Sequence, residues 1–161
     1  MSEPIGTASI RDSATGDRGL VNFTHRAAFA IPGEPQPKQR ARRGKGGRWY
    51  TPEATRAYEK SVKDYAMQAF AMANNSSAWP TDRLYRLEVH AVFGSYRRAD
   101  ADNVLKAVSD ALNKLAWADD VQVVQCEASR SVSTEPATHV IIYAFEQKFE
   151  PAPKRRKRAA R

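Results

Sequence analysis

Residues 85–128, YRLEVHAVFGSYRRADADNVLKAVSDALNKLAWADDVQVVQCEA, read as a strand, a helix and a second strand in succession. Tyr85, Leu87, Val89, Ala91 and Phe93 alternate with Arg86, Glu88 and His90, the period-two pattern of a half-buried strand. Val104, Val108, Ala111, Leu112 and Leu115 then recur at helical spacing, behind a cap offered by Asp102 or Asn103. Trp117, Ala118, Asp119 and Asp120 make a short connection. Residues 121–128 return to strand, with apolar side chains on both faces.

Working outward, Thr51, Pro52 and Glu53 supply a capping hydroxyl, a first-turn proline and an acid at the positive end of a helix. Tyr58, Val62, Tyr65, Ala66, Ala69 and Ala73 continue that helix, and Asn74 to Ser77 end it before Pro80. A short strand is expected at 25–31, stopped by Pro32 and Gly33. Residues 140–145, VIIYAF, form a continuous apolar run suited to a central strand. About four strands and two main helices predict an α/β (α+β) fold: one small domain with a mixed sheet and helices packed on it. The expected organisation is a flexible arm at 1–22, the domain at 23–149 and a disordered basic tail at 150–161.

The chain has 161 residues and a net charge of +8, but the charge is unevenly placed. Residues 35–50, PQPKQRARRGKGGRWY, hold six Lys and Arg and no acid, and residues 151–161 hold another six. The rest carries 14 Lys and Arg against 18 acids. A near-neutral body with two dense cationic segments fits a polyanionic partner, of which the nucleic acid backbone is the commonest. Proline and glycine make residues 32–47 a cation-displaying loop. Lys38, Arg40, Arg42, Arg43, Lys45, Arg48, Arg97 and Arg98 are the candidate phosphate contacts. Trp49 and Tyr50 flank this loop; docking it onto the core is the favoured role, stacking on an unpaired base the alternative. One cysteine, Cys126, excludes an intrachain disulfide scaffold and reads as a small core residue. No apolar run approaches a membrane span, and the first residues lack a signal-peptide core, so the cytoplasm is the expected location. His25, His90 and His139 show no metal-ligand spacing.

Asp100 and Asp102 are two apart at a strand-to-helix junction. In extended backbone, residues so spaced project to one side, where paired carboxylates suit a hard divalent cation. Asp102, Lys106 and Asp110 follow at helical spacing on one face. Asp119 and Asp120 form a second acidic pair at the next junction, and spacing does not bring the two pairs together. By spacing alone the structural readings are favoured: a cap at Asp102, a surface pair of Lys106 with Asp110, and turn residues at Asp119 and Asp120.

The combination is more specific than its parts. Residues 98–113, RADADNVLKAVSDALN, followed by WADDVQV at 117–123, resemble the RusA family of Holliday junction resolvases. That family carries a D-x-D-N-x-x-K-x-x-x-D-A-L run and then a W-x-D-D-x-Q-V run. Ile31, Pro32, Gly33, Glu34 and Pro35, with Lys38, Arg40 and Arg42 and then Tyr50 and Thr51 opening a helix, fit its front. Ala99 and Ala41 depart from the residues common there, and the arm and the tail lie outside the resemblance.

The resemblance implies a small homodimer that cuts four-way DNA junctions by paired symmetric nicks. It implies Mg²⁺, for which Mn²⁺ can substitute, and no organic cofactor or membrane partner. It also implies Asp100, Asp102 and Asp120 as catalytic, metal-holding carboxylates, with Asp119 beside them and Lys106 as an essential basic residue. The setting it implies is DNA recombination and repair in a bacterial or phage-infected cell. The alternative is a protein that binds branched or single-stranded DNA without cleaving it.

Overall fold

The computed structural model describes residues 7–11, 18–44, 46–73, 78–96 and 100–151, with side chains described from Asn22 onward. Ten elements follow in order: β1 (Thr7–Arg11), β2 (Arg18–Pro32), β3 (Arg42–Arg43), β4 (Trp49–Tyr50), α1 (Glu53–Ala73), β5 (Arg83–Phe93), α2 (Ala101–Leu112), a 3-10 turn (Asp120–Gln122), β6 (Val123–Val132) and β7 (Ala137–Lys148). The main sheet has the order β1-β2-β7-β5-β6. Its pairs are antiparallel except β5 with β6, which are parallel and joined through α2. The sheet is therefore mixed, and the apolar run at 140–145 lies in its central strand, β7.

The alternation along β5 fixes the architecture. Tyr85, Leu87, Val89 and Ala91 are buried, and so are Val140, Ile142 and Ala144 opposite them on β7. Residues directly across an antiparallel pair share a face, so these side chains form one apolar surface. Both helices pack on it. Val104, Ala107, Val108, Ala111 and Leu112 form the buried stripe of α2, while Tyr58, Val62, Ala66 and Phe70 form that of α1. The Tyr58 hydroxyl reaches the buried Thr138 hydroxyl on β7 at 2.6 Å. Arg86, Glu88, His90, His139 and Tyr143 alternate onto the other face, where Arg26 and Arg86 lie over the Tyr143 ring at 5.7 and 5.9 Å. No described helix covers that face.

Two expectations change. The strand expected at 25–31 begins at Arg18, and Thr7–Arg11 pairs with it, so part of the stretch read as an arm is β-structure. Composition showed no period there, yet the extra length of β2 leaves backbone groups that a second strand satisfies. Cys126 is exposed rather than in the core. It stands on β6, an edge strand, where one flank has no neighbouring strand. Residues 152–161 of the basic tail lie outside the described residues.

Candidate nuclease site

The two acidic pairs sit at different kinds of junction. The first follows β5. Asp100 is the N-cap of α2, in extended backbone (φ −79°, ψ 134°), and Asn103 donates its backbone N–H to the Asp100 carbonyl at 3.1 Å. The cap thus lies two residues before Asp102 and three before Asn103, the two expected caps, and Asp102 is already helical, in the first turn. The extended spacing that would have put both carboxylates on one side ends at Asp100. Both acids are exposed, and neither has an ion-pair or hydrogen-bond partner among the described residues. Lys106, one turn further along α2, is likewise exposed and unpaired among the described residues.

Loop contacts hold this end of the molecule. Gly33, at φ +95°, donates its N–H to the Pro136 carbonyl at 2.9 Å, a left-handed turn that favours glycine. Glu34 then accepts from the Gly94 N–H at 3.1 Å, and a Cβ at Gly94 would lie 2.6 Å from that carboxylate oxygen. The backbone N–H of Lys38 donates to the Asn103 carbonyl at 2.9 Å, which ties the loop to the first turn of α2.

The second junction is braced from inside. Trp117 is fully buried, and its ring lies 5.5 Å from Tyr85, which continues through Trp79 to Phe70. Asp119 caps the 3-10 turn, its carboxylate accepting from the Val121 N–H at 3.2 Å. Gln122 is fully buried with every polar group used. Its amide donates to the carbonyls of Thr81 (2.9 Å) and Arg83 (2.8 Å), and its oxygen accepts from the Asp119 N–H at 2.8 Å. Asp120 is exposed and accepts from the Trp117 indole N–H at 3.2 Å. The W-x-D-D-x-Q run is therefore largely structural: it pins the chain to the start of β5 and presents one acid, Asp120, outward.

This arrangement separates the expected triad. Asp100 and Asp102 follow the C-terminal end of β5, whereas Asp120 is tied to the start of β5, where Tyr85 pairs with Val123. The intervening α2 has 12 residues, about 18 Å of helix. Among the described residues, no group of three or more Asp, Glu, His or Cys side chains is placed to hold a metal ion. The donor chemistry, hard carboxylate oxygen, suits Mg²⁺, but the described residues of the chain do not gather it into a ligand set. Asp119, also expected at the metal, has its carboxylate committed to the turn.

The cationic candidates divide as well. Lys38 is not a free phosphate contact: its Nζ binds Glu59 at 2.5 Å and Asp110 at 2.9 Å, joining α1 to α2. Burial by itself would lower its pKa, but hydrogen bonds and charge from Glu59 and Asp110 outweigh that and hold it above 10.5. The spacing of Asp110 to Lys106 suggested another pair; the partner is Lys38 instead. Arg40, Arg42, Arg43 and Arg48 are exposed. Lys45, Arg97 and Arg98 lie outside the described residues. Trp49 is 71% exposed and Tyr50 49%, so neither docks the loop onto the core. They instead form part of a short ribbon, β3 with β4, that breaks the expected irregular loop.

Residues 32–143 match the family model described as Endodeoxyribonuclease RusA. That span covers most of the chain, and the chain belongs to this family of endodeoxyribonucleases. It is also 47% identical over 45 residues to the "Uncharacterized protein YqaN" of Bacillus subtilis (strain 168), a match covering 28% of this chain and 32% of that relative. No helix among the described residues is long and apolar enough to cross a membrane.

Proposed function

We propose that this chain is a divalent-metal-dependent endodeoxyribonuclease that resolves four-way DNA junctions by paired nicks, acting as a homodimer. The observation that carries this reading is the family match over residues 32–143, which contains both acidic junctions and the arginine-rich ribbon. The exposed carboxylates Asp100 and Asp102, without a partner among the described residues and on the end of the molecule where Lys38 anchors the ribbon, support it.

The separation of Asp120 from Asp100 and Asp102 gives the homodimer a chemical role. In a twofold dimer, Asp120 of one subunit completes the site begun by Asp100 and Asp102 of the other, and symmetry makes two such sites. Two strands of a four-way junction then meet two equivalent sites. Mg²⁺, when bound, supplies charge neutralisation and an activated water at the phosphate. Lys106 adds a fixed positive charge one turn from Asp102 and steadies the scissile phosphate. Arg40, Arg42, Arg43 and Arg48 hold flanking phosphates without reading sequence.

A second reading, binding of branched or single-stranded DNA without cleavage, draws on that same separation. One assay divides the two. The first requires nicking of a synthetic four-way junction that depends on Mg²⁺ and disappears in Asp102→Asn, with junction binding retained. Binding without nicking by the wild-type chain at any Mg²⁺ concentration selects the second.

A further inference from the structure

We propose that the β3–β4 ribbon is a base-stacking element, in which Trp49 packs on a DNA base left unpaired at a branch point. The inference rests on the DNA-acting reading above and adds to it a recognition device separate from the acids.

The ribbon's register pairs Arg42 with Tyr50 and Arg43 with Trp49. Opposite residues of an antiparallel pair share a face, so Arg42 and Tyr50 lie on one face of the ribbon and Arg43 and Trp49 on the other. The turn between them is closed by the Gly44 N–H to the Arg48 carbonyl (2.9 Å) and the Gly47 N–H to the Gly44 carbonyl (3.0 Å). Gly47 sits at φ +75°, where a side chain would be strained. The ribbon forms a sheet of its own, and both its strands are exposed.

At its base the ribbon is fixed. The Lys38 clasp on Glu59 and Asp110 precedes it, and the buried Pro52 follows it into α1. The Lys38–Asn103 backbone hydrogen bond sets that base next to the helix turn holding Asp102.

Such an element fits one class of partner. The exposed indole of Trp49 offers a flat apolar face on which a planar partner can stack. The segment around it carries no acid and four exposed arginines, which selects a polyanion. A base inside a paired duplex has both faces covered by its neighbours. A branch point leaves a π-face free, and an aromatic side chain can cover it whatever the base. An acidic protein surface would satisfy the arginines but would not depend on an unpaired base.

The test uses the full chain, without divalent metal, and a four-way junction carrying 2-aminopurine unpaired at the crossover. Fully paired duplex of equal length is the control. Wild-type chain should quench the 2-aminopurine fluorescence. Trp49→Ala should lose the quench and bind the junction about tenfold more weakly, with duplex binding unchanged. Trp49→Phe should restore part of both, and melting of Trp49→Ala should match wild type because the indole touches no core. Arg42→Gln and Arg43→Gln should weaken both DNAs alike and reduce the salt slope by about one each. An unchanged quench in Trp49→Ala, or equal loss on junction and duplex, overturns the inference. Adding Mg²⁺ to the same samples tests cleavage separately. Trp49-dependent quenching without nicking sinks the nuclease reading and leaves the ribbon inference standing. Nicking without it does the reverse.

Discussion

The junctions before and after α2 carry the same chemistry, a pair of aspartates, and opposite construction. After β5, Asp100 and Asp102 stand exposed with no hydrogen-bonding or ionic partner among the described residues. Before β6, the pair is set on the buried Trp117 and Gln122, and Asp119 spends its carboxylate closing a turn. The first pair contributes little to holding the chain together. The second sits in a structural knot from which only Asp120 faces outward. Charge without a structural partner is what a ligand-binding group looks like, and the difference predicts that the two junctions fail in different ways when altered.

The largest effect is expected at the first junction. Asp100→Asn or Asp102→Asn should lower junction nicking by about a thousandfold. Thermal unfolding should change by less than about 1 kcal/mol, since only a helix-end charge interaction is lost. A large fall in melting temperature with turnover intact would reverse the assignment of this pair.

At the second junction, Gln122→Leu keeps the volume but leaves the Thr81 and Arg83 carbonyls and the Asp119 N–H without partners. Urea titration should show a loss of about 3 kcal/mol. A loss below about 1 kcal/mol would mean that the turn is not held from within.

Lys38 sharpens the contrast from the other side, because a residue expected to touch DNA is engaged inside the protein. Lys38→Met should destabilise by about 1–2 kcal/mol by stranding Glu59 and Asp110. Its effect on the salt slope of DNA binding should be smaller than that of Arg42→Gln. The raised pKa of Lys38 means that its contribution to stability is intact below pH 10.5 and is lost as pH rises through the folded value.

The smallest effect concerns the tyrosines beneath the two junctions. Burial pushes Tyr58 and Tyr85 up to about 12 from 10.0. Both stay neutral in the folded chain where the unfolded chain ionises. Their contribution is complete below pH 10 and falls away as pH approaches 12. Ultraviolet titration should show two of the six tyrosines ionising near pH 12. In Tyr58→Phe the delayed group should shrink to one.

Much of the fold was legible because it rests on periodicity. The alternation from Tyr85 to Phe93, the stripe from Val104 to Leu112 and the run at 140–145 are each decided by which side faces the core. Pairing that depends on distant backbone was not legible. The hairpin of β1 with β2 has no apolar period to announce it, and the length of β2 is set by its neighbours. At the site, residue types were readable and partnerships were not. The sequence shows Lys38 as one cation among six, while its fate is decided by Glu59 and Asp110, 21 and 72 positions away. Gln122 is a lone polar residue among apolar neighbours in the sequence, and only the fold sets its amide against the Thr81 and Arg83 carbonyls. Trp49 and Tyr50 could point inward or outward on pattern alone, and the ribbon's register turns them out.

Mixed dimers test most directly the proposal that each cutting site is assembled from two subunits. Asp102→Asn and Asp120→Asn chains are prepared separately, then unfolded together and refolded as a mixture, and nicking of a four-way junction with Mg²⁺ is measured. In a shared-site dimer, one of the two sites takes its intact Asp102 from one chain and its intact Asp120 from the other. The mixture should therefore recover nicking, predominantly of one strand per junction, while each variant alone stays inactive. A refolded mixture that dimerises and binds the junction yet nicks no faster than its components would contradict the account.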